Sequence, residues 1–328
     1  MRILLQQADN DTAPWVRAFA ELLPEARVEV WHEGQEAHVQ YEARAVDEKD
    51  ARRAARPCDY AVVWSPPRSM LAELAEVKAI FNCGAGVDAL LKVGAALPAR
   101  VPIVRLGDAG MGVQMAEYVL HAVLRHVRRF DEYESLAREG RWQPLTARRR
   151  EDCAIGVLGA GVLGKRVLAA LAPFGFPLLA WSRGQQQIDG VRCFAGPEGL
   201  DAVLRASQIL VCMLPLTPET ANLLDRANLA KLPPQAYLIN VARGALLSEP
   251  DLLAMIESGR LAGATLDVFR NEPLPVQHPF WRERRIIITP HIAARTVCRD
   301  SVAQIAAKIR QLRAGQPVAD VVDRNQGY

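Results

Sequence analysis

Very little in this chain is concentrated, and each thing it lacks removes a class of protein. No segment reaches the roughly 18 continuous apolar residues that a membrane span needs, so no membrane is expected. The N-terminus, Met1 to Asp9, lacks the charged start, longer apolar stretch and small-residue cleavage site of a secretory signal, and reads as a short strand. Formal charge is only +3, and the basic residues, nearly all arginine, are scattered apart from Arg148, Arg149 and Arg150. A nucleic-acid binder concentrates its cations on one face, so nucleic acid is not an expected partner. The cysteines, at positions 58, 83, 153, 193, 212 and 298, lie far apart, several in apolar runs. They fit free buried thiols in a reducing compartment rather than a disulfide framework, and the expected location is the cytoplasm. HExxH and CxxC patterns are missing, and His278 and His291 have no third ligand at useful spacing, so no metal is expected.

What is present is an ordinary globular composition, 50% hydrophobic and 23% charged, in a chain of 328 residues. That length is more than one core usually serves, so two domains are expected. Residues 2–6, 60–64, 77–82 and 101–104 read as strands, and 12–22 and 87–93 as helices. Such alternation points to a parallel sheet. From 112 to 141 a stripe through Met115, Tyr118, Val119 and Val123 predicts one long helix, followed by a polar connection to residue 152. A second α/β series follows. Its predicted strands are 154–158, 177–181, 208–212, 236–240, 262–266 and 285–288. Its predicted helices are 162–173, 199–205, 227–231 and 248–258, and the chain closes with a helix over 299–313 and a polar tail.

The sharpest local signal is a GxGxxG at Gly159, Gly161 and Gly164, where an apolar strand hands over to a helical pattern. In a dinucleotide site the first glycine permits the tight turn and the second lets backbone approach the pyrophosphate. The third lets the helix sit close to the sheet, with its first amides facing the phosphate charge. A close-packed βαβ unit without ligand would use the same glycines, but here strand, turn, helix and next strand fall in order.

Several further stretches belong together. They are Asn82-Cys-Gly-Ala-Gly-Val-Asp88, Met115-Ala-Glu-Tyr118, Leu214-Pro-Leu-Thr-Pro-Glu-Thr220 and Leu238-Ile-Asn-Val-Ala-Arg-Gly244. Downstream come Leu266-Asp-Val-Phe269 with Glu272-Pro273, Thr289-Pro-His-Ile-Ala293, and the ending from Val322 to Tyr328. With the glycine turn, this ordered set resembles the D-isomer-specific 2-hydroxyacid dehydrogenases, and within them the glyoxylate/hydroxypyruvate reductase A type. It covers the chain from about residue 60 to its end. The resemblance implies an α/β fold of two Rossmann-like domains with parallel sheets, the dinucleotide domain inserted into the substrate domain. The expected division is 1–98 plus 296–328 for the substrate domain and 99–295 for the dinucleotide domain. It also implies a homodimer in which the helical region 112–141 forms much of the contact.

Reduction of a 2-keto acid needs a cation for its oxygens, a proton donor and a held hydride donor. Arg243 lies beyond an apolar strand, at the edge where open α/β sheets bind ligands, and its planar fork suits two oxygens. By itself a strand-end arginine is more often a surface or capping residue; the resemblance makes it the substrate arginine. His291 and Glu272, which alone would read as a structural histidine and a solvated loop residue, become by resemblance the acid–base pair. The resemblance also assigns the substrate carboxylate to the amides of Ala85 and Gly86, an otherwise ordinary glycine-rich connection. Trp64, before two prolines, could wall a small pocket or merely pack beneath them. By the same match, Val162, Leu163, Leu214, Pro215, Val241 and Ala242 line the cofactor, and Asp267, otherwise a helix cap, contacts the nicotinamide amide.

NADPH is expected over NADH, with NADH also accepted. An NAD site places an acidic residue at the end of the second strand, yet no Asp or Glu occurs between Lys165 and Gln187. Ser182 and Arg183 stand there instead, and an arginine can pair with a 2′-phosphate. The residues that follow, Gly184 to Gln187, add no further cation, so the preference should be shallow. Two rival readings stay open at this point: a related enzyme for a bulkier keto acid such as phenylpyruvate, and a dinucleotide sensor without turnover.

Overall fold

Strands whose every residue is apolar have to be covered on both faces, and that is how this chain uses them. The computed structural model describes residues 1–7, 11–32, 39–40, 58–92 and 97–328. They divide into two compact units, Met1–Gly110 with Thr296–Tyr328, and Met111–Arg295.

In the first unit β1 (Arg2–Gln6), β4 (Tyr60–Val63) and β5 (Ala79–Asn82) are buried almost throughout, as expected of parallel strands sandwiched between layers. With β2 (Arg27–Val30), the two-residue β3 (Val39–Gln40) and β6 (Ile103–Arg105) they form a sheet of order β3-β2-β1-β4-β5-β6. All pairings are parallel except that of β3, which runs antiparallel at the edge. Strand β2 escaped the sequence reading because Glu29 sits in its middle. That carboxylate is buried and held by a fork from Arg2, with Nε 2.7 Å from Oε1 and Nη2 2.6 Å from Oε2. A buried charge survives only when so paired.

Helix α1 (Ala13–Leu22) packs against the C-terminal helix, which is how the chain's last segment joins this unit. Residues 87–93 give only the single turn α2 (Asp88–Leu91), and residue 93 lies outside the described residues. The expected division after residue 98 is corrected to Gly110. Strand β6 hydrogen-bonds to β5 and, through Val104 and Arg105, to Val321 and Asp320 of the tail, so 99–110 belong with the first unit.

The second unit holds a fully parallel sheet of order β13-β12-β11-β10-β7-β8-β9. Its strands are β7 (Ile155–Leu158), β8 (Leu178–Ser182), β9 (Val191–Ala195), β10 (Ile209–Cys212), β11 (Ala236–Asn240), β12 (Leu261–Leu266) and β13 (Ile286–Ile288). Edge strand β9 went unread because it is half-exposed and mixes Arg192 into its apolar positions. Buried clusters lie on both faces of the sheet.

The single helix expected over 112–141 is corrected to two, α3 (Met111–Val127) and α4 (Phe130–Arg138). Arg129 between them has φ 60°, a left-handed conformation that ends a helix. Its guanidinium holds Glu132 in the next turn and the carbonyl of Thr146, fixing the bend. The remaining helices are α5 (Val162–Leu171), α6 (Gly196–Ala206), α7 (Arg226–Leu229), α8 (Glu249–Glu257) and α9 (Cys298–Arg313), the last belonging to the first unit. No disulfide joins the cysteines; four of the six are buried and Cys193 and Cys298 are half-buried. Among the described residues no helix is long and apolar enough to cross a membrane.

Candidate active site

Strands β7 and β10 are neighbours at the centre of the second sheet, and the order reverses between them. Loops leaving such a pair diverge and open a crevice at the carboxyl edge, the usual ligand position in open α/β sheets. The three glycines occupy that edge for different reasons. Gly159 has φ +105°, and a Cβ there would lie 2.6 Å from the carbonyl oxygen of Met213. A Cβ on Gly164 would lie 2.0 Å from the carbonyl of Gly159. Around Gly161, by contrast, an added Cβ would meet no atom of the described residues within 4 Å apart from its chain neighbours. Packing therefore explains the first and third glycines but not the second.

Gly161 caps α5, whose exposed Val162 and half-buried Leu163 begin a first turn without acidic residues. Open space, unblocked amides and no competing anion fit a dinucleotide pyrophosphate. Leu214 and Pro215 follow β10 directly. Thr220 locks their loop, its hydroxyl donating to the Pro215 carbonyl at 2.7 Å while accepting from the Thr217 amide at 2.8 Å.

At the end of β8, Ser182 Oγ donates to the Gly184 carbonyl at 2.8 Å, and Arg183 is exposed. Exposed Glu219, from the loop after β10, is held below the ordinary carboxylate range by its bond from Thr217 and, to a lesser degree, by the charge of Arg183.

Three adjacent strands, β11, β12 and β13, carry the remaining second-unit residues at the same edge. After β11 the chain turns at Asn240, a buried amide. Its Oδ1 accepts from the Ala242 amide and its Nδ2 donates to the Arg243 carbonyl, each at 3.1 Å. Val241 and Ala242 are thereby held in buried positions, and half-buried Arg243 follows, with Nη1 donating to the Ala242 carbonyl at 2.7 Å. A Cβ on Gly244 would lie 1.9 Å from the carbonyl carbon of Phe269, so glycine here seats the Arg243 turn on the segment after β12. Asn240 was legible only as a polar residue closing an apolar strand, and its role as a tie was missed.

In that segment Glu272 accepts from the Phe269 amide at 2.9 Å through Oε1 and from His291 Nδ1 at 2.8 Å through Oε2. An ionised carboxylate only accepts, so Nδ1 carries the proton and Nε2 is left as the working nitrogen. Both side chains are exposed. Asp267 behaves differently from the helix cap that its local sequence suggests. It is 1% exposed and accepts from Thr289 Oγ1 at 2.6 Å and from the amides of Ile292 and Ala293 at 2.8 Å each. It thus knots the turn that bears His291.

Trp64, Ala85 and Gly86 belong to the first unit. An added Cβ on Gly84 would strike the Trp64 ring at 2.0 Å, so the indole lies directly on that backbone. Asn82 Nδ2 donates to the Gly84 and Gly86 carbonyls at 2.9 and 3.0 Å. Those bonds use carbonyls, and the amides of Ala85 and Gly86 are not drawn into them. Packing against Gly84 is therefore the part Trp64 plays within its own unit.

Residues 120–293 match the family described as D-isomer specific 2-hydroxyacid dehydrogenase, NAD binding domain. The chain is 48% identical to glyoxylate/hydroxypyruvate reductase A of Serratia proteamaculans and 44% identical to that of Yersinia enterocolitica, with all of both chains covered each time. Among solved structures, it resembles a D-isomer specific 2-hydroxyacid dehydrogenase from Xanthobacter autotrophicus in complex with NADPH and MES. The TM-score is 0.91 at 39% identity, covering 100% of this chain and 99% of that one. An NADPH-dependent glyoxylate/hydroxypyruvate reductase from Sinorhizobium meliloti, in complex with NADP and sulfate, gives 0.87 at 32% identity with both chains fully covered. With its glycine turn at the strand-order reversal and its glutamate–histidine pair at the same sheet edge, the chain belongs to the D-isomer-specific 2-hydroxyacid dehydrogenases, a family of NAD(P)-dependent oxidoreductases.

Proposed function

We propose that this enzyme reduces glyoxylate and hydroxypyruvate to glycolate and D-glycerate, using NADPH in preference to NADH. The observation that carries the reading is the Glu272–His291 hydrogen bond, one strand away from the turn that presents Arg243. The names borne by full-length relatives point to the same substrates.

Arg243 binds the keto acid, its fork holding carboxylate and carbonyl oxygens and neutralising the charge that grows on the latter. His291 gives its Nε2 proton to that oxygen, while Glu272 at Nδ1 stabilises the charged imidazole and fixes its orientation. When bound, the reduced nicotinamide cofactor supplies the hydride. Ala85 and Gly86 are assigned to the substrate carboxylate through their amides, and Trp64 to the wall of the substrate pocket. Gly161 and the first amides of α5, at Val162 and Leu163, hold the pyrophosphate, with Gly159 and Gly164 shaping the turn, and Leu214, Pro215, Val241 and Ala242 flank the rest of the cofactor. The Asp267 carboxylate has about four acceptor positions, of which the turn takes three, leaving one for the nicotinamide amide. The working form is a homodimer in the cytoplasm, joined through α3, α4 and the segment after them.

Ser182 and Arg183 receive the 2′-phosphate. Gly184 to Gln187 add no further cation beside them, so the preference for NADPH is modest. Steady-state kinetics with glyoxylate, hydroxypyruvate and phenylpyruvate, each with both cofactors, test the whole reading. The two small keto acids and NADPH should give the highest kcat/KM, and Arg183→Ala should reduce NADPH use about tenfold more than NADH use. A preference for phenylpyruvate would replace the substrate assignment. Equal losses with the two cofactors would remove Arg183 from the phosphate site.

A further inference from the structure

A chain of three side chains runs from helix α3 to the turn that bears His291. Tyr118 on α3 shares a short hydrogen bond with Thr289 Oγ1, and Thr289 Oγ1 donates to Asp267 Oδ1 at 2.6 Å. A threonine hydroxyl has one proton. Because Thr289 gives its proton to Asp267, its oxygen can only accept from the tyrosine, so the chain has one direction, Tyr118 to Thr289 to Asp267. Burial pushes the Tyr118 phenol up to about 12, which keeps it a donor at neutral pH.

Asp267 passes the constraint on. Its backbone carbonyl accepts the His291 amide at 2.9 Å, and its carboxylate accepts the Ile292 and Ala293 amides at 2.8 Å. Three consecutive amides therefore rest on one residue. They need such a hold, because His291 has φ 55°, a left-handed conformation that side chains bearing a Cβ rarely adopt.

We propose that Tyr118 and Thr289 are positioning residues, which orient the Asp267 carboxylate and through it keep His291 aimed for proton transfer. The inference rests on the reading of His291 as proton donor. A plain helix-to-sheet contact would instead stabilise the fold and leave the His291 turn and its rate unchanged.

The test uses Tyr118→Phe, Thr289→Val, Thr289→Ser and the double variant Tyr118→Phe/Thr289→Val. Two quantities are read at temperatures well below melting: amide hydrogen exchange at Ile292 and Ala293, and kcat against KM. Thr289→Val should speed exchange at those two amides about tenfold relative to amides elsewhere in the sheet, and lower kcat by about as much with KM nearly unchanged. Tyr118→Phe should act in the same direction, about threefold. Thr289→Ser, which keeps the hydroxyl, should stay near the parent. The double variant should match Thr289→Val alone, since Tyr118 acts only through Thr289.

Unchanged exchange at both amides in Thr289→Val, or fully additive losses in the double variant, overturns the proposal. Should Thr289→Val not fold, the single-atom change Tyr118→Phe decides by the same exchange readout. Altered exchange with an unaltered kcat in an active enzyme also overturns it. If exchange responds but the parent reduces no 2-keto acid, the relay stands as a device that holds the turn, and it is the functional reading of His291 that falls.

Discussion

At the scale of single residues, the site depends on side chains that accept or donate in only one way. Glu272 can only accept, and it is spent on His291 Nδ1 and the Phe269 amide. Glu272→Gln keeps the shape and loses the charge, so it should lower kcat about tenfold or more through an imidazole held less well for proton transfer. His291→Gln removes the proton donor and should lower kcat by roughly 10² to 10⁴ while the affinity for NADPH is kept. Fluorescence titration of NADPH beside turnover assays checks both. A His291 variant that keeps its kcat near neutral pH would take the residue out of the acid role. The arginine run at 148–150 shows the opposite lesson. It looks like a small basic patch in sequence, yet Arg148 is bound to His126 and Glu132, and Arg149 to Glu151.

Among elements, helix α3 is the one whose tertiary contacts matter most. His126 in its last turn is buried, stacks on Tyr237 of β11 with ring centroids 4.2 Å apart, and accepts from Arg148 at 2.7 Å. Burial first, and the Arg148 charge second, lower its pKa from 6.5 to about 3. The folded chain therefore holds this imidazole neutral where the unfolded chain would protonate it. Its contribution to stability is complete above pH 6.5 and is lost progressively as pH falls toward 3. By pH 4.5 the loss should be about 2–3 kcal/mol, at about 1.4 kcal/mol for each unit below the unfolded value. Urea unfolding of parent and His126→Gln at pH 7 and pH 4.5 measures it. The parent should lose that much more stability than the variant; equal losses would mean that His126 is not held neutral.

On the scale of the whole molecule, α4 has no buried residue, and Phe130 and Trp142 are large apolar side chains exposed at 47% and 100%. Val113 on α3 is also 63% exposed. In the proposed homodimer a second copy would cover them. Light scattering on the purified protein should then give twice the chain mass of 36.1 kDa, and Phe130→Glu with Trp142→Arg should halve it. A parent of single-chain mass would exclude this assembly.

The amino-acid order alone determined the alternation of strands and helices, the glycine turn, and the absence of an acidic residue at the end of β8, because each is a short-range constraint on backbone or charge. Resemblance to a family added Arg243, Glu272 and His291, residues whose own local sequence has blander readings. The break at Arg129 was not legible, since nothing in a run of helix-forming residues announces an arginine in left-handed backbone. Strand β2 was hidden because Glu29 looks solvated until Arg2, 27 residues away, is placed beside it. Nor could spacing reveal that Tyr118 meets Thr289, 171 residues on, or that Asp267 gathers the amides of Ile292 and Ala293. Those contacts are set by which strands lie side by side and by the packing of α3 against the sheet. Hydrogen bonds act over about 3 Å, so they form between whichever groups the sheet order brings together, however far apart in sequence.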